Sequence, residues 1–170
     1  SMGYCNRPDA NEGAFRGGWF LSGDEGFWVD GAQGRFFFIT GRMKELIIRG
    51  GVNYAPLEID EVLCTLASVQ YGLAVPFANR FYGEEVAAYI VPAAGSTVNA
   101  SEILAHCVVE LGFSKSPKVL ILGDEVPYTS TGKPRRIALA AQLAEHLDAY
   151  RAVQFRKTDV REPIVLDLRR

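Results

Sequence analysis

The first third of the chain alternates short apolar runs with polar, turn-forming residues. Residues 27–29 and 36–39 are strand-like runs rich in aromatic side chains, and the stretch between them contains Asp and Gly. Because Asp and Gly supply the backbone angles of a tight reversal, this pattern predicts a β-hairpin. A further extended run at residues 46–48 ends at Gly50 and Gly51. We therefore expect short strands in this part of the chain.

From Pro56 the apolar positions take a helical period. The apolar residues that follow lie largely on one face, whereas Glu58, Asp60 and Glu61 lie on the opposite face or flank it. Pro56 suits the first helical turn, where its missing N–H costs nothing. Asn99 is the expected N-cap of a second helix. The same patterns predict helices at residues 101–111 and 135–146 and strands at residues 69–75, 85–91 and 117–122.

These elements predict an α+β fold with a small mixed sheet covered by helices. The hairpin at the front is interpreted as a β-hairpin fragment of something larger, because about 40 residues are too few to fold alone. We divide the chain into a terminal β fragment at residues 1–43, an independent domain at residues 44–147 and a C-terminal tail at residues 148–170. The tail alternates charged and apolar residues, so it is expected either to dock as an extra strand or to stay loose.

The composition is that of a globular protein without a general affinity for polyanions. Hydrophobic residues make up 48% of the chain and charged residues 22%, with a formal net charge of −2. This balance gives no electrostatic reason to bind nucleic acid or an anionic membrane. An uncharged run at residues 62–79 is interrupted by Pro76 and by polar residues. We interpret it as a helix end followed by a buried strand, and we expect no transmembrane segment.

The cysteines and the first residues of the chain indicate a cytoplasmic protein. Cys5, Cys64 and Cys107 are widely spaced and form no CxxC motif, which favours free thiols in a reducing compartment. With only His106 and His146 as histidines, a zinc site of Cys and His ligands is not expected. The first residues lack the basic and apolar regions of a signal peptide.

A hydroxyl-rich loop that ends in Gly132 and Lys133 is a candidate for contact with phosphate. A Lys ammonium is a compact charge for an anion, and the loop reads TSTGK. It is not a P-loop, because that motif requires Gly and then Ser or Thr where this chain has Pro127 and Pro134. The plain alternative, from the chemistry alone, is that Lys133 is a solvated loop lysine.

Asp24 and Arg42 form a second candidate site. Asp24 follows a Ser-Gly pair, and Arg42 follows the second strand of the predicted hairpin. An acidic residue at a turn beside an arginine can bind vicinal hydroxyls, as acidic residues bind ribose in other nucleotide sites. The alternative is ordinary turn chemistry with a surface ion pair, which contributes little to stability.

Three segments, in this order and at this spacing, together resemble a known enzyme superfamily. They read WFLSGDEG, GRMKELIIRGGVNYAPLEIDEVL and VPYTSTGKPRR, and the opening GYCNRPDANEGAFRGGWF is similar to a fourth family segment. The chain thereby resembles the C-terminal part of the AMP-forming adenylating enzymes, which comprise acyl- and aryl-CoA ligases, peptide-synthetase adenylation domains and luciferases. The resemblance implies that residues 1–43 belong to the large N-terminal domain and that residues 44–147 form the C-terminal lid domain.

The resemblance also implies a role for each of five residues. Asp24 and Arg42 match the residues that contact the ribose of ATP and AMP. Lys44 matches the hinge about which the lid domain rotates between two half-reactions. Gly51 matches a glycine that lines the channel for the pantetheine arm of CoA. Lys133 matches the catalytic lysine of adenylation, which bridges the substrate carboxylate and the α-phosphate.

The implied parent enzyme is an AMP-forming acyl-CoA synthetase, an acid–thiol ligase that uses ATP, Mg²⁺ and CoA. A carboxylic acid, for which fatty acids are one candidate class, is converted to an acyl-adenylate and then to a thioester. The family's main phosphate loop, adenine site and acyl pocket belong to an N-terminal domain missing from these residues, so we expect the 170 residues alone to be inactive. Two alternatives stay open: an adenylation domain that loads a carrier-protein thiol, and a non-catalytic binding module with the lid fold.

Overall fold

The computed structural model describes residues 3–157 and 162–170. The chain forms two compact units, Ser1–Lys44 and Glu45–Arg170. The first unit thus ends one residue beyond the β fragment expected at residues 1–43. Residues 158–161 of the expected tail lie outside the described residues. None of the described helices combines the length and the apolar character that crossing a membrane requires.

The first unit contains a short helix and two antiparallel hairpins. Its elements are α1 Pro8–Ala14, β1 Phe15–Arg16, β2 Trp19–Phe20, β3 Asp24–Gly31 and β4 Gly34–Arg42. In the β3–β4 hairpin Trp28 pairs with Phe37 and Gly31 with Gly34, which confirms the predicted hairpin with longer strands than the apolar runs suggested. The side chains of Trp28 and Phe37 are 58% and 72% exposed. The aromatic runs that predicted the strands therefore lie on the surface of this unit.

The second unit is built on a six-stranded mixed sheet. Its elements are β5 Ile47–Arg49, β6 Val52–Tyr54, α2 Pro56–Cys64, β7 Val69–Asn79, β8 Gly83–Pro92, α3 Ala100–Lys115, β9 Val119–Leu122, α4 Arg136–Asp148 and β10 Ile164–Asp167. The strand order is β10-β9-β8-β5-β6, and β7 also pairs with β8. The β8–β9 and β9–β10 pairs are parallel, whereas β5–β6, β5–β8 and β7–β8 are antiparallel. The predicted α+β class is confirmed.

Alternate residues of the central strands enter two separate cores, which explains why helices cover the sheet. One core packs the sheet against α2 and α3, and the other packs it against α4. The first contains, among others, Ile59, Leu63, Ala74, Val86, Ile90, Ile103 and Leu120. The second contains, among others, Val75, Phe77, Ala87, Ile121, Leu139, Leu143, Leu147 and Phe155. The alternation along β7 and β8 is that of strands buried on both faces.

The helix ends predicted from the sequence are observed in α2 and α3, with one difference at the end of α3. The uncharged run divides between the end of α2 and β7, as predicted. The Asn99 side chain caps α3 by accepting a hydrogen bond from the Glu102 amide at 3.3 Å. Gly112, with φ of 74°, interrupts α3 where the sequence predicted its end, but a further helical turn continues to Lys115.

The C-terminal segment docks on the second unit. Phe155 is buried in the core with α4, and β10 adds to the sheet in parallel with β9, with Ile164 opposite Val119. For the described residues, the structure thus selects docking over a loose tail. Strand β6 was not predicted, because a three-residue strand after Gly51 carries too short a pattern.

Candidate active site residues

The first unit brings Asp24 and Arg42 together. They occupy the first position of β3 and the last position of β4 and are directly opposite each other in the register. The Arg42 Nε lies 3.7 Å from the Asp24 Oδ1, and the two side chains are 57% and 31% exposed. The Asp24 amide donates a hydrogen bond to the Ser22 Oγ at 3.2 Å, which fixes the turn before β3. The pair offers an acceptor and a donor to a polar ligand at the surface.

Lys44 lies at the end of the first unit. It is the middle residue of a 3-10 turn at Met43–Glu45, and its side chain is exposed. The boundary between the two compact units follows it directly. The Met43 amide donates to the Gly23 carbonyl at 2.9 Å, so the chain is held to the hairpin up to the residue before Lys44.

Gly51 occupies a tight turn between β5 and β6. Arg49 pairs with Val52, so Gly50 and Gly51 alone form the loop, and their φ angles are 57° and 81°. A two-residue loop with positive φ at both positions is a type I′ turn, in which glycine is favoured for its backbone freedom. No described atom lies within 4 Å of a Cβ built at Gly51. The backbone angle alone explains a glycine here, and the position faces open space.

Lys133 lies in a small hairpin loop whose backbone is held by hydrogen bonds. Tyr128 and Pro134 form an isolated β-bridge, and the Arg135 amide donates to the Pro127 carbonyl at 2.8 Å. The Thr129 hydroxyl accepts a hydrogen bond from the Lys133 amide at 3.1 Å. The Lys133 side chain is exposed. The loop therefore presents this side chain to solvent from a fixed backbone.

The hydroxyl groups of this loop serve the loop itself. The Thr129 and Thr131 hydroxyls lie 3.0 Å apart and form a hydrogen bond. Gly132 has φ of 76°, and its amide donates to the Thr129 carbonyl at 3.0 Å. The Thr129 and Thr131 hydroxyls thus close the turn that carries Lys133.

Next to this loop is a buried ionic cluster that was not predicted from the sequence. The Arg136 guanidinium donates to both carboxylate oxygens of Asp60, at 3.2 and 2.6 Å, and to the Glu45 carboxylate at 3.1 Å. Only 3% of Arg136 is exposed. Asp60, expected on the polar face of α2 or flanking it, is instead buried at 9% exposure. Its Oδ1 also accepts a hydrogen bond from the Ala74 amide at 2.6 Å, so this carboxylate links α2, β7 and α4.

Burial changes the proton affinity of this cluster. Loss of hydration raises the pKa of Asp60 above its ordinary value, and the hydrogen bonds from Arg136 oppose that rise. Burial also disfavours the charged form of Arg136, but its bonds to Asp60 and Glu45 outweigh this effect and raise the pKa of the guanidinium. The guanidinium therefore stays charged in the core and must keep its partners.

A second buried cluster lies where β5, β8 and β9 meet. The Glu85 carboxylate is fully buried and lies 2.7 Å from the Arg49 Nε and 3.7 Å from the Lys118 Nζ. The Arg49 guanidinium also stacks 3.9 Å from the centre of the Tyr82 ring. Burial lowers the pKa of Lys118 to about 8, against the pull of Glu85. This cluster joins neighbouring strands and is a structural element.

The described residues do not contain a cluster of three or more His, Cys, Asp or Glu side chains suited to a metal ion. Cys5 and Cys64 are exposed free thiols, and Cys107 is a buried one. Burial raises the pKa of Cys107 to about 11. A buried thiol of this kind is unreactive.

Comparison with known proteins identifies the relatives of the chain. It is 39% identical over 146 residues to an oxalate–CoA ligase of Arabidopsis thaliana and 41% identical over 139 residues to a sulfoacetate–CoA ligase of Cupriavidus necator. The chain is homologous to CoA ligases. These alignments cover 85% and 81% of the chain but only 28% and 26% of the two enzymes, so the chain spans less than a third of their length. No family model matches it.

Solved structures extend this homology to adenylate-forming enzymes. The o-succinylbenzoate CoA synthetase MenE of Bacillus subtilis, in complex with an acyl-adenylate intermediate, matches with a TM-score of 0.74 and 30% identity over 81% of this chain and 28% of that one. ATP-bound MatB of Rhodopseudomonas palustris matches with a TM-score of 0.75 and 28% identity over 85% of this chain and 28% of that one. The resemblance to the C-terminal part of the adenylating enzymes is confirmed.

Proposed function

We propose that this chain is the C-terminal part of an ATP-dependent, AMP-forming acid:CoA ligase, and that Lys133 is its catalytic lysine. The observation that carries the proposal is the Lys133 loop. Within a chain homologous to CoA ligases, it holds the backbone of Lys133 by hydrogen bonds and leaves the side chain exposed. A positive charge held on a fixed backbone can meet a negatively charged transition state without reorganising.

The proposed reaction has two steps. In the first, a carboxylate oxygen of the acid attacks the α-phosphorus of ATP, the bond to the bridging oxygen breaks, and pyrophosphate leaves. The Lys133 ammonium neutralises charge on the carboxylate and the α-phosphate as the new bond forms. In the second, the thiolate of CoA attacks the acyl carbonyl, and AMP leaves with the electrons of the broken acyl–oxygen bond.

The other predicted residues have supporting roles in the proposal. The Asp24 carboxylate and the Arg42 guanidinium hold the two ribose hydroxyls, which suits their pairing at the hairpin end. Lys44 acts as the hinge, and its position directly before the unit boundary supports this role. Gly51 lines the CoA channel, and the open space at this position supports that role.

The remaining parts of the site are proposed to lie outside this chain. The chain spans less than a third of its CoA ligase relatives, so we expect the 170 residues alone to be inactive. Mg²⁺ is assigned to no residue here, because the described residues offer no cluster of metal ligands. The acyl pocket is also expected to lie outside this chain, so these residues do not identify the carboxylic acid.

The test is ATP–pyrophosphate exchange by the full-length protein that carries this sequence, over a panel of carboxylic acids. Lys133→Ala is expected to reduce exchange on the order of 10²–10³-fold, the usual effect of removing one transition-state donor. Lys157→Ala removes another exposed lysine and serves as the matched control. Exchange that Lys133→Ala leaves unchanged would contradict the assigned role.

The acceptor is tested separately from adenylation. With the acid identified, formation of its CoA thioester supports the ligase, whereas transfer only to a phosphopantetheine carrier protein points to an adenylation domain. If the wild-type protein exchanges pyrophosphate with none of the acids, the proposal fails and a binding module becomes the better hypothesis.

A further inference from the structure

The start of α4 connects the Lys133 loop to the first residue of the second unit. The loop is closed by the hydrogen bond from the Arg135 amide to the Pro127 carbonyl. The next residue, Arg136, binds Glu45 through its Nε at 3.1 Å. Glu45 directly follows Lys44, the residue proposed as the hinge. One guanidinium thus joins the base of the loop to the chain that enters the unit.

The two carboxylates bound to Arg136 are not equivalent. Asp60 holds two guanidinium nitrogens from inside the core, with 12% of its side chain exposed, whereas 25% of the Glu45 side chain is exposed. The Arg136 Nη1 also donates to the Ala74 carbonyl at 2.5 Å. Without Glu45, the buried guanidinium would therefore still be paired. Asp60 neutralises the guanidinium charge, and Glu45 is the more exposed of its two carboxylate partners.

We propose that Arg136 and Glu45 are positioning residues that hold the Lys133 loop relative to the residue after the hinge. This inference rests on the proposed function of Lys133 and Lys44. The bonds to Asp60 fix Arg136 against α2 and β7, and the bond to Glu45 fixes the entering chain against Arg136. The loop that carries Lys133 is then held in one position relative to the first residue of the second unit. Neither residue contacts substrate in this proposal.

The first experiment measures order in the loop by hydrogen–deuterium exchange of the 170-residue chain. Glu45→Ala is expected to raise the exchange of the amides in peptides spanning residues 127–135 on the order of tenfold, since it removes a hydrogen bond between charged groups at the base of the loop. Glu45→Gln keeps an acceptor oxygen and should restore part of the protection. Glu58→Ala, which removes another surface carboxylate paired with Lys115, is the matched control.

The second experiment separates a positioning role from general destabilisation. In the full-length protein, Glu45→Ala is expected to reduce the kcat of adenylation on the order of tenfold with an unchanged KM for ATP. Thioester formation from a supplied acyl-adenylate, which does not use Lys133, should keep its wild-type rate. A general loss of folded protein would reduce both rates equally.

The outcomes distinguish this inference from the proposed function. Loop exchange in Glu45→Ala that equals the wild type or the Glu58→Ala control overturns the positioning role, whatever the enzyme does. Faster loop exchange in Glu45→Ala, together with no adenylation by the wild-type protein, supports the role of the Arg136–Glu45 contact in ordering the loop and refutes the proposed function. Equal losses in both half-reactions also overturn the positioning role.

Discussion

Lys118 gives the second unit a pH dependence that can be measured without any substrate. Its ammonium lies 3.7 Å from the Glu85 carboxylate and donates to the carbonyl oxygens of Phe113 and Ser116 at 2.6 and 2.5 Å. Its side chain is 4% exposed. Because burial removes the hydration of the ammonium, it lowers the pKa of Lys118 to about 8. In the unfolded chain the same group titrates near its ordinary value of 10.5.

The sign of the effect follows from which state binds more protons. Between pH 8 and 10.5 the unfolded chain keeps the Lys118 proton that the folded protein has lost, so the free energy of unfolding rises with pH. For these two pKa values, the Lys118 contribution to the free energy of unfolding increases by about 1 kcal/mol from pH 7 to pH 9. The Cys107 thiol, with its pKa raised to about 11, acts in the opposite direction over part of this range. A variant at Lys118 is therefore needed to isolate the lysine.

The assay is urea unfolding of the wild type and Lys118→Met at pH 7, 8 and 9, followed by helical circular dichroism. Both tryptophans lie in the first unit, so their fluorescence does not report on the second unit. The variant has an offset at every pH because it loses the hydrogen bonds of the ammonium. The test is the change in that offset: the wild type should gain about 1 kcal/mol over the variant from pH 7 to pH 9.

A matched variant and a clear contrary result complete the test. Lys115→Met removes a lysine whose side chain is 33% exposed and paired with Glu58, and it should follow the wild-type pH dependence. If the free energies of wild type and Lys118→Met keep a constant difference from pH 7 to pH 9, the lysine does not lose its proton in the folded protein. Burial at this site would then not lower the pKa of Lys118 enough to remove its proton.

Three further substitutions test local features of the fold. Gly72→Ala places a Cβ 2.5 Å from the Leu63 Cβ and should lower the free energy of unfolding by about 1–3 kcal/mol in urea; an unchanged midpoint would contradict this close contact. Asn99→Ala removes the side chain that accepts a hydrogen bond from the Glu102 amide. This change should lower the free energy of unfolding by about 1 kcal/mol, whereas Asn99→Asp should not lower it. Gly132→Ala, at φ of 76° in open space, should speed amide exchange in the Lys133 loop because it strains the backbone by about 1–2 kcal/mol, and equal exchange would refute that strain.

The local features of the fold were predictable because their causes lie within a few residues of sequence. The β3–β4 hairpin follows from two apolar runs around a turn of Asp and Gly. The start of α3 follows from Asn99, and its interruption follows from Gly112. The order of strands and helices in the second unit follows from local sequence patterns, without knowledge of which residues contact each other.

The buried charges were not predicted because their cause lies in partners distant along the chain. Asp60 was grouped with the polar residues Glu58 and Glu61, although its spacing from Pro56, Ile59 and Leu63 places it on the buried face of α2. Asp60 is buried because Arg136, 76 residues away in sequence, supplies two donors to its carboxylate. The same holds for Glu85, whose partner Arg49 is 36 residues away. Pairing across the fold decides which charges enter the core.

One signal for Arg136 was nevertheless present in the sequence. Arg136, Leu139, Leu143 and Leu147 are the buried residues of α4, and their spacing is that of one helical face. A charged residue in phase with an apolar stripe predicts a buried side chain that needs a partner of opposite charge. Its neighbour Arg135 is out of this phase and exposed. The helix phase therefore separates two adjacent arginines that composition treats as the same.

This phase also explains why Lys133 and Arg136 call for different experiments. Arg136 belongs to the core and Lys133 to the surface, although only Pro134 and Arg135 separate them. Substitution of Arg136 leaves the Asp60 carboxylate buried without its donors, so loss of activity would not distinguish chemistry from unfolding. Lys133→Ala removes an exposed side chain, and the hydrogen bonds made by the backbone of residue 133 can still form in the variant. A loss of adenylation in Lys133→Ala with unchanged unfolding in urea can therefore be attributed to the ammonium group itself.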